Sequence, residues 1–196
     1  MSVYRPDKNH LVEHPVLSTA LGLGPLAAQS TTLAGGICLS LSFVTVLLFS
    51  CLVVLSFRRF IIYRYRLAFI MLITATVTSL LDMGLQTFFF QMRMTLGIYL
   101  PLVAVNTLLL VFLEQDILRN TPVGLLRRAG VTAAIVFPVI VSVGFLRELL
   151  SQGSLLSKIQ VVPQAMPVFA TSAGAFFILG CLLALSNSLL KRHVGD

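Results

Sequence analysis

Acidic side chains are scarce in this chain: Asp and Glu together number seven in 196 residues, and all charged residues make up 11%. A water-soluble domain carries about a quarter of its residues charged, so that class is excluded. Cysteine is also sparse. Cys38, Cys51 and Cys181 show neither CxxC spacing nor a nearby histidine, and they are read as small apolar residues buried in helices rather than metal ligands. His10, His14 and His193 lie towards the two ends and form no ligand pair one helical turn apart. Catalytic triads and phosphate-binding glycine loops are missing, because Gly22-Leu23-Gly24 runs into Pro25 instead of opening a Rossmann helix. No basic stretch is interleaved with aromatics, so the net charge of +7 does not point to nucleic acid. Residues 1–14 are polar and lack the short apolar core of a signal peptide, so a retained N-terminus is expected.

What is present is apolar surface. Hydrophobic residues make up 57% of the chain and the mean hydropathy is +0.96. Residues 17–57 contain no charge; since one helical crossing takes about 20 apolar residues, this stretch holds most of two, with the turn at Gln29-Ser30-Thr31-Thr32. Further runs at residues 67–90, 94–113, 130–150 and 167–190 each approach the spanning length. The expected architecture is all-α and integral to the membrane: six transmembrane helices in a single membrane domain over residues 1–196. The first, over residues 11–28, is the weakest, because Glu13, His14 and Pro15 open it and Gly24-Pro25 interrupts it; a half-helix or re-entrant element fits there.

Lys and Arg of short loops stay on the cytoplasmic side. With six crossings, one side receives Arg5, Lys8, Arg58, Arg59, Arg64, Arg66, Arg119, Arg127, Arg128, Lys191 and Arg192, whereas the other receives Arg93, Arg147 and Lys158. Both termini are therefore expected in the cytoplasm, and the positive charge is a matter of topology. Tyr63-Arg64-Tyr65-Arg66 is an interfacial anchor by composition.

A signature occurs twice. Leu21-Gly22-Leu23-Gly24-Pro25-Leu26 and Leu96-Gly97-Ile98-Tyr99-Leu100-Pro101-Leu102 share Leu-Gly…Pro-Leu, each within an uncharged apolar segment. Gly and Pro break helices, and in lipid the freed backbone groups must be satisfied by protein or line a cavity. Broken helices 1 and 4, in halves of about residues 11–90 and 94–190, therefore direct the search for function to Gly24, Pro25 and Pro101. Asn106 and Thr107 follow closely and are placed to hydrogen-bond the carbonyls freed near Pro101, or to contact a ligand. Asp82 lies in the third apolar run, where a charge is costly unless it faces protein or water; it belongs either to an ion path or to a pairing with Arg93 near the helix end. Glu114 and Asp116 are expected to pair at the surface near Arg119. Arg147-Glu148, before Ser151-Gln152-Gly153-Ser154, is read as helix-end pairing and a Gly-terminated helix.

These residues resemble the paired small membrane subunits of the Rnf and Na⁺-translocating NADH:quinone reductase complexes, most closely the E-type members. His14-Pro15 with Leu21 to Ala27 is similar to the family's Asn-Pro…Leu-Gly-Leu-Cys-Pro-Leu-Leu. Leu96 to Thr107 is similar to Leu-Gly-Ile-Phe-Leu-Pro-Leu-Ile-Val-Thr-Asn-Cys and continues without a gap to Glu114, Arg119 and Asn120. Arg147-Glu148-Leu149-Leu150-Ser151-Gln152-Gly153-Ser154-Leu155 is similar to Arg-Glu-Ile-Leu-Gly-Gln-Gly-Thr-Leu.

The resemblance implies two inverted halves and a homologous sister subunit of opposite orientation, among other membrane subunits of an Rnf-like complex in a bacterial or archaeal inner membrane. It also implies a two-iron two-sulfur cluster shared with that sister, each partner giving two cysteines, and electron transfer across the bilayer coupled to Na⁺ or H⁺ transport. The cluster-site positions here are Gly24, Pro25, Pro101, Asn106 and Thr107. Gly24 and Thr107 stand where the family has its cysteines, and Val111-Phe112 where it has Gly-Arg. Clusters depend on thiolates, so this chain lacks its own ligands. Three functions follow from the sequence: a divergent E-type member of a redox pump, a redox-inactive structural or ion-conducting scaffold with Asp82, Asn106 and Thr107 as its polar set, or a stand-alone transporter of inverted-repeat type.

Overall fold

A computed structural model describes residues 22, 24, 26, 30, 32–57, 65–119, 122–152, 154–155, 159–160 and 167–194. Helices dominate. They are α1 (Leu33–Phe57), α2 (Arg66–Phe88), α3 (Phe90–Leu96), α4 (Tyr99–Ala104), α5 (Thr107–Arg119), α6 (Pro122–Gln152) and α7 (Ser172–Val194). A two-residue antiparallel pairing of β1 (Ser154–Leu155) with β2 (Ile159–Gln160) and a 3₁₀ turn at Pro167–Ala170 lie between α6 and α7.

Three helices are long and apolar enough to cross a membrane, over Leu33–Phe57, Arg66–Phe88 and Val123–Ser151. The bent pair Phe90–Leu96 with Tyr99–Glu114 makes a fourth span if counted as one, and Ser172–Leu182 is a shorter apolar helix. The chain is thus a multi-pass helical membrane protein. The expected first span and Pro25 lie outside the described residues, apart from Gly22, Gly24 and Leu26. The stretch over residues 94–113 is interrupted, as expected of a broken helix 4, and at two places. One expectation is corrected: the helix expected from residue 130 starts at Pro122. Proline is favoured at a first helical position, where its missing N–H would have no partner anyway.

The core is built around α1, whose Leu39, Phe43, Val46, Leu47, Cys51 and Val54 are fully buried. At 25 residues, α1 rises roughly 38 Å and outspans the bilayer core. Its serines do not spoil this burial, since Ser40 and Ser42 donate to the Ile37 and Cys38 carbonyls of their own helix. The main partner of α1 is α6, brought close at two glycines. A Cβ on Gly144 would sit 3.5 Å from the Gly36 Cα and 3.0 Å from the Thr32 carbonyl oxygen. Small residues at such a crossing let backbones approach, and dispersion then replaces the hydrophobic force that lipid cannot supply.

Where the start of α1 meets the end of α6, the pair is fastened by polar groups. Thr32 Oγ1 accepts from Gly35 N at 3.1 Å and so caps α1. Glu148 of α6, only 2% exposed, accepts from Leu33 N at 2.6 Å, placing a carboxylate at the positive end of the α1 dipole. Arg147, fully buried, turns the other way and donates through Nε to the Phe169 carbonyl and through a terminal nitrogen to the Thr171 carbonyl, each at 3.2 Å. The two residues read as helix-end pairing therefore serve two different elements: α1 and the turn into α7.

Candidate functional site

The site is where the residue 22–26 segment meets the interrupted stretch between α3 and α5. The first interruption belongs to Gly97, with φ 50° and ψ −128°. An L side chain adopts that conformation only under strain, and the helical pieces on either side are bent by 72°. Pro101 is not the breaker. It sits in the first turn of α4, where backbone N–H groups lack helical partners, so the ring begins the new helix at no hydrogen-bond cost. Its position is exposed.

The second interruption falls at Val105-Asn106, between α4 and α5. Here the freed groups are paired side chain by side chain. Asn106, 4% exposed, accepts through Oδ1 from Leu108 N at 2.9 Å, capping α5. Its Nδ2 donates to the Gly22 carbonyl at 2.8 Å. Thr74 of α2 lies 3.0 Å from the Ala104 carbonyl and equally far from that of Met71, so its single proton serves both. The role expected of Asn106 is thus divided: it holds Gly22 and Leu108, while Thr74 takes the carbonyl freed before the break.

Backbone closeness completes the junction. A Cβ on Gly22 would fall 2.7 Å from Leu108 N and 2.9 Å from its Cα, so only glycine allows this approach. Two residues on, a Cβ on Gly24 would meet the Phe176 ring of α7 at 3.0 Å. The gap bounded by Leu26, Leu39, Tyr99, Leu102 and Asn106 is too tight to admit a water molecule. Gly24 and Asn106 are therefore both buried at or beside the junction, whereas Thr107, next to Leu108, is exposed on the outside of the chain.

Asp82 lies apart from this junction. Its Oδ1 accepts from Arg93 Nε at 3.2 Å and its Oδ2 from Gln86 Nε2 at 2.9 Å. The pairing with Arg93, one of its two sequence readings, is present. Glu114 binds Arg66 of α2 at 2.6 Å, across 48 positions of sequence; the side chains of Asp116 and Arg119, expected near it, lie outside those described. Among the cysteines, Cys51 is buried and Cys38 half-buried, but Cys181 is exposed, in an apolar groove with Leu146, Phe177 and Ile178. The expectation of burial thus fails for Cys181, which lies in an open groove between α6 and α7.

Thr74, Arg147 and Glu148 carry polar contacts that the sequence does not assign. Thr74 gives no signal beyond being a hydroxyl in an apolar run. A charged Arg-Glu doublet at the edge of a long apolar stretch is the available hint for the other two.

Comparison with known proteins bears on the whole of this arrangement. The family model described as Rnf-Nqr subunit, membrane protein, matches residues 7–183. The E-type subunit of the ion-translocating oxidoreductase complex of Pseudomonas paraeruginosa is 31% identical over 194 residues, covering 90% of this chain and 80% of the relative. The proteins of the same name from Shewanella oneidensis and Aliivibrio fischeri are each 28% identical, covering 91% and 94% of this chain and 84% and 88% of the relatives.

Proposed function

Because this chain belongs to the Rnf-Nqr family of membrane subunits, we propose that it is the E-type integral subunit of an ion-translocating oxidoreductase complex, supporting electron transfer across the bilayer coupled to Na⁺ or H⁺ movement. The observation that carries the reading is the Asn106–Gly22 junction. Irregular backbone at membrane depth persists only where protein satisfies it, and paired discontinuous segments of this kind mark the functional centre of inverted-repeat membrane proteins. The distribution of Arg and Lys supports an inner-membrane topology with both termini in the cytoplasm. Exposed Thr107 and Val105, beside the junction, are the side offered to a homologous sister subunit.

The family's two-iron two-sulfur cluster does not fit the residues of this chain. Gly24 has no side chain and the Phe176 ring occupies the space into which one would extend. Thr107 presents a hydroxyl where iron–sulfur chemistry calls for a thiolate. The electron path of the complex therefore falls to groups held by its partners. The packing of Phe176 on Gly24 equally favours a second reading, in which the subunit is a redox-inactive scaffold.

Co-expression with and without the sister subunit tests the proposal. Recovery of monodisperse chain only with the sister, and loss of iron and acid-labile sulfide once the sister's cysteines are replaced, are the expected results. A single-subunit protein active in transport overturns membership of a complex; two irons surviving the replacement overturn the absence of ligands here. Between the two readings, electron flow through the reconstituted complex that stops when this subunit is omitted but the others assemble favours the redox role.

A further inference from the structure

One groove is built unlike the rest of the surface. An opening of about 430 Å³ lies between the end of α5 and the start of α6, lined by Phe112, Gly124, Arg127, Arg128, Val131 and Thr132. The other grooves on the described surface of comparable size are apolar. Five of its six lining residues recur at intervals of three and four along α6, so they share one face of that helix. Along it the chemistry is layered: Gly124 leaves the mouth open, the two guanidinium groups follow one turn deeper, and Val131 and Thr132 come after another turn, with Phe112 on the α5 side. Arg127 and Arg128 are exposed, and so is Val131. Among the described residues, α6 packs mainly against α1, the 3₁₀ turn and α7, on faces other than this one.

The depth of the two arginines is fixed by the same helix. Residues 129–146 carry no charge, and the rise from Arg128 to Arg147 is roughly 29 Å at ~1.5 Å per residue, close to the hydrocarbon thickness of a bilayer, about 30 Å. Arg127 and Arg128 therefore stand at headgroup level when α6 spans the membrane, with the apolar floor of the groove on the acyl side. Basic pockets between helices at this level complement lipid phosphates, and paired guanidinium groups suit a phosphate better than a zwitterion of no net charge.

We propose that this groove is a binding site for an anionic phospholipid, its phosphate held by Arg127 and Arg128, with Thr132 within the same recess, and its acyl chain laid against Val131 and Phe112. The occupant is independent of the redox reading above. The full chain, extracted in mild detergent with its accompanying subunits, is incubated with phosphatidylglycerol, cardiolipin or phosphatidylcholine, and retained lipid is counted by native mass spectrometry.

Phosphatidylglycerol and cardiolipin are expected to be retained over phosphatidylcholine. Retention should fall about tenfold in R127Q/R128Q, and again in V131W, which fills the acyl side while keeping both charges. V131W decides the matter if the double variant does not fold. Equal retention of phosphatidylcholine, or undiminished retention in the variants, overturns the proposal. So does displacement of the lipid by glycerol 3-phosphate, which marks a site for free phosphate esters. Protection of Arg127 and Arg128 from an arginine-reactive glyoxal in the delipidated complex overturns it in favour of a protein neighbour.

Discussion

Asn106 Nδ2 lies 2.8 Å from the Gly22 carbonyl oxygen, a single hydrogen bond that ties together two segments 84 positions apart. The same amide caps α5 through its oxygen, so one side chain holds Gly22 and the start of α5 at one point. Asn106→Leu should strand the Gly22 carbonyl and the Leu108 amide in an apolar setting. The expected loss is about 2 kcal/mol of stability, read as a lower unfolding midpoint in detergent. Asn106→Asp keeps the acceptor for Leu108 but turns a carboxylate oxygen towards a carbonyl, and should fare no better. Full stability in either variant would remove the junction from the account of the fold.

Gly97 and Gly84 separate backbone strain from crowding. Neither would bring a Cβ within 4 Å of another group, but Gly97 has φ 50° while Gly84 lies inside α2. Gly97→Ala should cost about 1–2 kcal/mol. Gly84→Ala should be neutral or stabilising by up to about 1 kcal/mol. Thermal midpoints of the two variants in one detergent give the comparison, and equal effects would mean that positive φ at residue 97 is not what sets the 72° bend.

The two positions where the family has cysteine should respond differently to having it restored. Thr107 is exposed, so Thr107→Cys should be accepted with little change and, in membranes carrying this chain without the sister subunit, react with a membrane-permeant thiol reagent above the background of exposed Cys181. Gly24→Cys drives a side chain into Phe176 and should cost about 1–3 kcal/mol. Phe176→Ala added to it should return part of that loss. Additive effects in this double-mutant cycle would show that the ring does not guard position 24.

Asp82 and Arg93 keep 25% and 36% of their side-chain surface exposed. Asn at position 82 keeps a carbonyl oxygen to accept from Arg93 and an amide for Gln86, so Asp82→Asn should leave assembly intact. Coupled ion movement by the reconstituted complex should also persist. Loss of that movement with assembly unchanged would instead put Asp82 in the ion path.

How much of the molecule is legible in its sequence follows the distance over which each residue acts. The uncharged run through residues 33–57 is a local property, and it becomes α1 with little adjustment. The second Leu-Gly…Pro-Leu stretch points to an interrupted span, yet helix-breaking rank alone cannot separate Gly97 from Pro101. The deciding quantity is the φ angle at 97, while a proline in a first turn breaks nothing. Asn106 stands out as a hydrogen-bonding residue near freed backbone, but its partner Gly22 comes from the other half of the chain. Glu148 is the extreme case. Nothing within a helical turn of it indicates that its carboxylate serves Leu33 N, 115 positions away, and a charged doublet near a helix end reads as surface chemistry until the tertiary contacts are known.

That same contact bears on how the protein is made. During synthesis α1 enters the bilayer long before residue 148 leaves the ribosome, so its leading amide, at the membrane surface, and the glycine face it offers at Gly36 must wait for a helix not yet translated. A nascent chain released anywhere before α6 would expose both to the membrane's quality-control proteases. Maturation is thus postponed until the later half arrives to close over the earlier one.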